Sequence, residues 1–368
     1  MVVAALVAVA AVAFAATYAI TKSYARREDA LARRWYQLGE RNLSTGNPGE
    51  AVSDYRTALL YARDNPYYRR RLADALAADN DIPQAISYFL GLWDEQPGSG
   101  PINLELARLY ARDRQIRQAS QHFNNAIYGV WPDDPVARRR KARIEYIKFL
   151  MDQNQMAQAQ AEAIALTTSI PPGETAAQFQ AADLLIKTGD PRRALDEYTS
   201  LLKANPAQAS LGAGKAAFQL GWFHTAAVHL KTALAEGADD PEAKNMLAQA
   251  QTVLDLDPSQ RHISSAEAAK RVSTAYVQAA SRLQFCAAQK HEQLETVPPS
   301  TSLQLLYNEW KKYDSQFRKL SRDPDLRDTV MDLVLRVENE TSQQCGTPTG
   351  GPDWALLMIS KYGDGVQR

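Results

Sequence analysis

The stretch WYQLGERNLSTGNPGEAVSDYRTA, residues 35–58, decides the fold. Trp35, Leu38 and Gly39 put a bulky, an apolar and a minimal side chain on one face of a helix. Gly46 marks a turn. Ala51, Tyr55 and Ala58 then step by four and three residues, the spacing of a second helical face. Small residues on both faces let two antiparallel helices approach closely, and the aromatic fills the gap to whatever follows.

The pattern repeats. Thirty-four positions separate Gly46 from Asn80, and again Asn80 from Arg114. Asn80 leads to Ala85, Phe89, Leu92 and Pro97; Arg114 to Ala119, Phe123, Ala126 and Trp131-Pro132. Asn154 leads to Ala159, Ala163, Leu166 and Pro171; Gly189 to Ala194, Tyr198, Leu201 and Pro206; Gly221 to Ala226, Leu230, Ala233 and Pro241. A second helical stretch precedes each turn, as in Leu72, Ala73 and Leu76, or Leu106, Ala107 and Tyr110. A fixed period of this length is the signature of a stacked helical array.

These residues resemble the tetratricopeptide repeat, a helix-turn-helix unit of that length. The resemblance covers about residues 32–255, six units and a weaker seventh from Pro241. It implies an all-α, right-handed α-solenoid, similar overall to membrane-anchored bacterial repeat proteins. Three departures stand out. About six extra residues around Trp131-Pro132-Asp133-Asp134-Pro135 precede the fourth unit and lengthen its first helix. Ala163 stands where an aromatic is usual, which loosens the packing there. Leu211, Gly212, Ala213 and Gly214 give the sixth unit a very small surface.

Val2 to Ile20 are 19 residues without a charge, enough for roughly 28 Å of helix and so a near match to a bilayer core. We expect a single transmembrane anchor over residues 2–20; a cleaved signal peptide, with small residues at Ala11, Ala13 and Ala15, is the alternative, though no basic region precedes the run. Lys22, Arg26, Arg27, Arg33 and Arg34 follow it, which by the positive-inside rule favours a cytoplasmic domain.

Residues 259–368 read as a helical C-terminal module that caps the array. Ser264 to Gln289 form one long helix that should pack on the seventh unit. Leu303, Leu306, Trp310, Tyr313, Phe317 and Leu320 run on as an unbroken second helix. A third helix stops at Gly346, and a short one covers Trp354 to Ile359. Cys286 and Cys345 are the chain's two cysteines; pairing them would tie the first of these helices to the third. It would also tip the location towards the extracytoplasmic side. Unpaired thiols are the other reading.

Lys and Arg number 42, as do Asp and Glu, so binding to nucleic acid by bulk charge is not expected. Leu211-Gly212-Ala213-Gly214-Lys215-Ala216 fails as a phosphate loop, with Ala209 and Ala216 where Gly and Ser or Thr are needed. His224 and His229 are five apart and do not share a helix face. No catalytic residue, cofactor or metal site is expected. The basic run Arg138, Arg139, Arg140, Lys141 and Arg143 suits an acidic partner, an anionic lipid headgroup or simply a solvated face. In the family resembled, the first helix of each unit lines a concave groove. Those positions here are Tyr36, Arg70, Arg108, Lys148, Phe179, Lys215 and Phe218. Basic and aromatic side chains together suit an extended peptide with acidic groups. The expectation is a membrane-anchored, non-catalytic scaffold that binds a protein or peptide. An activity carried by residues 259–368 and self-assembly into a homo-oligomer are the rival readings. The sequence leaves open whether the segment after Gly351 occupies the groove.

Overall fold

The computed structural model describes residues 2–363, except the side chains of 2–5, 7 and 8. It forms two compact units, 1–162 and 163–368. All elements among the described residues are helical, apart from one isolated bridge between Ser99 and Val130. The first unit holds α1 (Val2–Ser44), α2 (Pro48–Tyr61), α3 (Pro66–Ala78), α4 (Ile82–Glu95), α5 (Gly100–Arg112), α6 (Ile116–Tyr128) and α7 (Pro135–Asp152). The division falls within α8 (Met156–Thr168), just before Ala163. The second unit continues with α9 (Thr175–Lys187), α10 (Pro191–Ser200), α11 (Pro206–Gln219), α12 (Phe223–Ala235) and α13 (Pro241–Leu256). It closes with α14 (Ser265–Gln289), α15 (Ser302–Lys311), α16 (Pro324–Cys345) and α17 (Gly351–Tyr362).

The turn residues explain the pairing. Gly46, Asn80, Arg114, Asn154, Gly189 and Gly221 all hold positive φ, from 58° to 87°. Each ends a first helix in the left-handed region and so frees the chain to double back. The next helix starts with a cap: Asp81 accepts from the Gln84 N–H and Asp190 from the Arg193 N–H. Between units, Pro66, Pro206 and Pro241 open α3, α11 and α13 at the position where a missing N–H costs nothing.

The repeated small residues are the contact surface. Ala51, Ala85, Ala119, Ala159, Ala194 and Ala226 are all fully buried. Tyr55, Phe89, Phe123 and Tyr198 are buried beside them as the gap-filling rings. A Cβ on Gly212 would overlap the Tyr198 ring, so the small surface of α11 is the seat of an aromatic from α10. The inserted residues ahead of α7 give that helix 18 residues where α5 has 13.

The C-terminal helices share one hydrophobic cluster with α12 and α13, joining Phe223, Val253, Tyr276, Leu283, Val334 and Leu356. Here α17 rather than α14 is the main cover of α13. The expected unbroken helix from Leu303 to Leu320 is interrupted: α15 ends at Lys311 and a 3-10 turn spans Phe317–Lys319. The Tyr276 hydroxyl donates to the Trp310 carbonyl; the Trp310 ring stacks on the Tyr276 ring at 4.7 Å and Phe317 meets it edge-on at 4.8 Å. A straight helix would leave one of these rings unpacked. The sulfurs of Cys286 and Cys345 stand at disulfide distance, with Cα atoms 5.6 Å apart.

The expected membrane span at Val2 to Ile20 lies in the first half of α1, partly on side chains outside the described set. Among the described residues, no helix is long and apolar enough to cross a membrane.

Candidate partner-binding surfaces

In the first unit the first-helix wall is built from α1, α3, α5 and α7. Tyr36 sits on α1 in an aromatic cluster. Its hydroxyl donates to the Tyr67 hydroxyl at 2.9 Å, and its ring stacks on Tyr68 at 5.0 Å. Burial, then the Tyr67 and Glu40 hydrogen bonds, push its hydroxyl above the usual phenol range. One turn on, Glu40 accepts two bonds from Arg71, at 2.5 and 2.9 Å, and one from the Tyr55 hydroxyl. Burial would raise this carboxyl, but the Arg71 and Tyr55 bonds hold it below its ordinary value. Arg71 also reaches Asp74 at 3.0 Å.

Arg108, on α5, is engaged by carboxylates on two sides. It bonds Glu145 on α7 bidentately at 2.9 and 2.7 Å and Glu105 at 2.6 Å. Burial raises the Glu105 carboxyl, with Arg108 opposing. By contrast Arg70 and Lys148 make no ion pair among the described residues, and Lys148 is exposed. The first-unit wall is thus a ladder of matched charges, with Arg70 acting on Asp74 and Glu105 at longer range and Lys148 outside any ion pair, rather than a uniformly basic strip.

The basic run on α7 divides. Arg139 holds the Gly129 carbonyl at 3.0 Å. Arg143 lies over the Tyr128 ring and 3.7 Å from Glu162. Arg138 and Lys141 instead line a cavity of about 300 Å³ with Arg70, Arg108 and Trp131. A cavity of about 560 Å³ adjoins it, sharing Arg70, Pro101 and Pro132. The spacing of the basic run points to a charged helix face. It does not show that two of its five members turn towards Arg70, because that depends on the off-register loop before α7.

In the second unit the expected wall residues are largely occupied by the chain itself. Phe179 is only 5 % exposed and packs on Tyr198 at 6.2 Å. Lys215 is bound by Asp240 at 2.6 Å and Glu242 at 2.7 Å, which hold its ammonium above the usual range against the effect of burial. Phe218 stacks on Trp354 of α17 at 5.9 Å, with planes 10° apart. Trp354 and Tyr362 both meet Phe223 edge-on at 6.0 Å. The segment after Gly351 therefore covers the part of this wall that Phe218 would offer.

One titratable group stands out in the C-terminal helices. Glu338 is fully buried and neither carboxyl oxygen has a hydrogen-bond partner. Burial pushes it up to about 8, with Asp353 adding to the rise and Arg282 opposing it. It is a packed group, outside the cavities lined by Leu306 and Arg336 and by Arg327 and Met331. Among the described residues no cluster of His, Cys, Asp and Glu could hold a metal ion.

Helix pairs that bury an alanine seam, turn through a left-handed residue and repeat in register form an all-helical repeat array. The family model described as tetratricopeptide repeat matches residues 36–100 and 179–241. No curated protein sequence matches the chain. Among solved structures, a tetratricopeptide repeat protein from Parabacteroides merdae is 18% identical, covering 60% of this chain and 84% of its own, with a TM-score of 0.35. YrrB, a TPR protein with an unusual peptide-binding site, is 16% identical over 52% of this chain and 95% of its own, TM-score 0.38. The TPR2AB domain of yeast Sti1, in complex with pHSP90, is 17% identical over 79% and 99%, TM-score 0.30. Likenesses this loose add nothing to the fold already described.

Proposed function

We propose that this chain is a scaffold that acts by binding a protein or extended peptide, not by catalysis, and that its exposed first-helix wall in the first unit is the binding surface. The observation that carries this reading is the contrast between walls. In the second unit Phe179, Lys215 and Phe218 are already taken up by the chain's own side chains. In the first unit Lys148 is exposed and without an ion pair, and Arg70, also without one, lines two adjoining cavities. A preformed helical wall binds without ordering itself first, which limits the entropy lost on association.

Residues 2–20 would tether the scaffold at a membrane; the uncharged sequence supports this part. The cysteine pair supports an extracytoplasmic placement of both units, against the basic flank at Lys22 to Arg34. A membrane-impermeant maleimide applied to intact cells should label Cys286 and Cys345 only after reduction. Labelling that needs lysis but no reductant would reverse the orientation.

The scaffold reading is tested by co-purification of the full chain and an Arg70→Glu/Lys148→Glu variant from crosslinked cells. Proteins recovered with the native chain should be depleted at least several-fold with the variant. Equal recovery would remove the first-unit wall from the account.

A further inference from the structure

We infer that the paired cavity at the loop before α7 is a seat for an acidic peptide segment, one that presents an apolar side chain next to a carboxylate. This deepens the scaffold reading and rests on it. The loop is the place where the sequence leaves the repeat register, and it is firmly fixed. The Gly100 N–H donates to the Val130 carbonyl at 2.9 Å, and the Val130 N–H donates to the Gly98 carbonyl at 2.8 Å. The Trp131 indole N–H donates to the Ala126 carbonyl at 2.9 Å. Its ring lies where a Cβ on residue 100 would be, so only glycine fits beneath it. Arg139 ties the Gly129 carbonyl from α7.

Two chambers result, with opposite chemistry. The larger, about 560 Å³, is walled by Tyr67, Leu92, Ile102, Val130 and prolines, and it lies within the size range of ligand sites, about 300–1,000 Å³. Tyr67 is 56 % and Val130 71 % exposed, apolar surface that a ligand would take out of water. The smaller presents Arg70, Arg138 and Lys141, which make no ion pair among the described residues. Arg108 adds little, because Glu145 and Glu105 already match it. Arg70 lines both chambers, so a ligand filling one is within reach of the other. Glu105 and Asp133 in the same lining offset part of this positive charge, and an apolar chamber beside it suits a peptide carboxylate with an apolar neighbour. An apolar side chain followed by Asp or Glu satisfies every part of this lining.

The test uses the full chain, immobilised, against a phage-displayed library of random dodecapeptides. Enriched peptides should carry Asp or Glu within two positions of an aliphatic or aromatic residue. A synthetic copy should bind the Arg138→Glu/Lys141→Glu variant about tenfold or more weakly and should weaken with salt. Both side chains are exposed, and Arg138→Gln/Lys141→Gln, which reverses no charge, should give a smaller loss of the same kind. Enriched peptides without acidic residues, or with equal affinity for the double variants, would overturn this seat and leave the scaffold reading standing. No enrichment would also overturn it, with the co-purification experiment deciding the scaffold reading separately. Binding of phosphatidylglycerol vesicles through the same two side chains, with no peptide enriched, would assign the patch to a lipid headgroup instead.

Discussion

Six turn residues share one backbone state, and they are not equally suited to it. Glycine accepts a positive φ freely, whereas Arg114 at 59° pays a steric penalty of about 1–2 kcal/mol. Arg114 is exposed, so Arg114→Gly should stabilise the first unit, by up to about 1 kcal/mol once the added freedom of the unfolded chain is deducted. Urea unfolding of the two chains measures this; a destabilised variant would contradict it. Gly212→Ala should do the reverse, by about 1–3 kcal/mol, because the added methyl displaces the Tyr198 ring. Glu338 gives a pH dependence. Folded, it holds its proton up to about 8; unfolded, it releases it near 4.5. Stability should therefore be highest below about pH 4.5 for this group and fall as pH rises to about 8. At about 1.4 kcal/mol for each pH unit over which only the folded chain is protonated, the loss is a few kcal/mol. Glu338→Gln should flatten that part of the profile. An unchanged profile would mean that the carboxyl is ionised in the folded chain.

The helices and their pairing were legible at the level of elements because a packed seam needs small residues at fixed spacing. Ala51 to Ala226 carry that requirement in plain sequence. The turn positions were legible from the period, even where Arg114 fills one, whereas their left-handed backbone is seen only in the structure. The break between Lys311 and Phe317 was not legible, since the three-and-four spacing of Trp310, Tyr313 and Phe317 fits a straight helix. What decides it is a tertiary partner, Tyr276, on another helix. The binding surfaces divide in the same way. Lys148 and Arg70 were placed from register alone. The pairing of Lys215 with Asp240 and the cover of Phe218 by Trp354 depend on contacts far along the chain. So does the turning of Arg138 and Lys141 towards Arg70. The α17 cover makes its own prediction. Trp354→Ala should cost about 2 kcal/mol or more, below the 3–5 kcal/mol of a fully buried aromatic, and should raise hydrogen exchange along α17. Unaltered exchange there would mean that α17 is held by Leu356 and Ile359 alone.

Two compact units on one chain should unfold in more than one step, since each repeat is stabilised by its neighbours. Cys286 and Cys345 lie 59 residues apart, both in the second unit. A closed loop of that length is worth roughly 4 kcal/mol in the chain-entropy account. Reductant should therefore lower the unfolding midpoint of the second unit and leave that of the first unmoved. A single transition that shifts as a whole would show the units to be thermodynamically coupled. The central claim is that the first-helix wall of the first unit receives a partner. It is tested most directly by photo-crosslinking in cells, with benzoylphenylalanine replacing Lys148 on that wall or Gln121, an exposed residue of the second helix α6. A discrete crosslinked product is expected from position 148 and none from position 121. Equal crosslinking from both, or a product from position 121 alone, would contradict it.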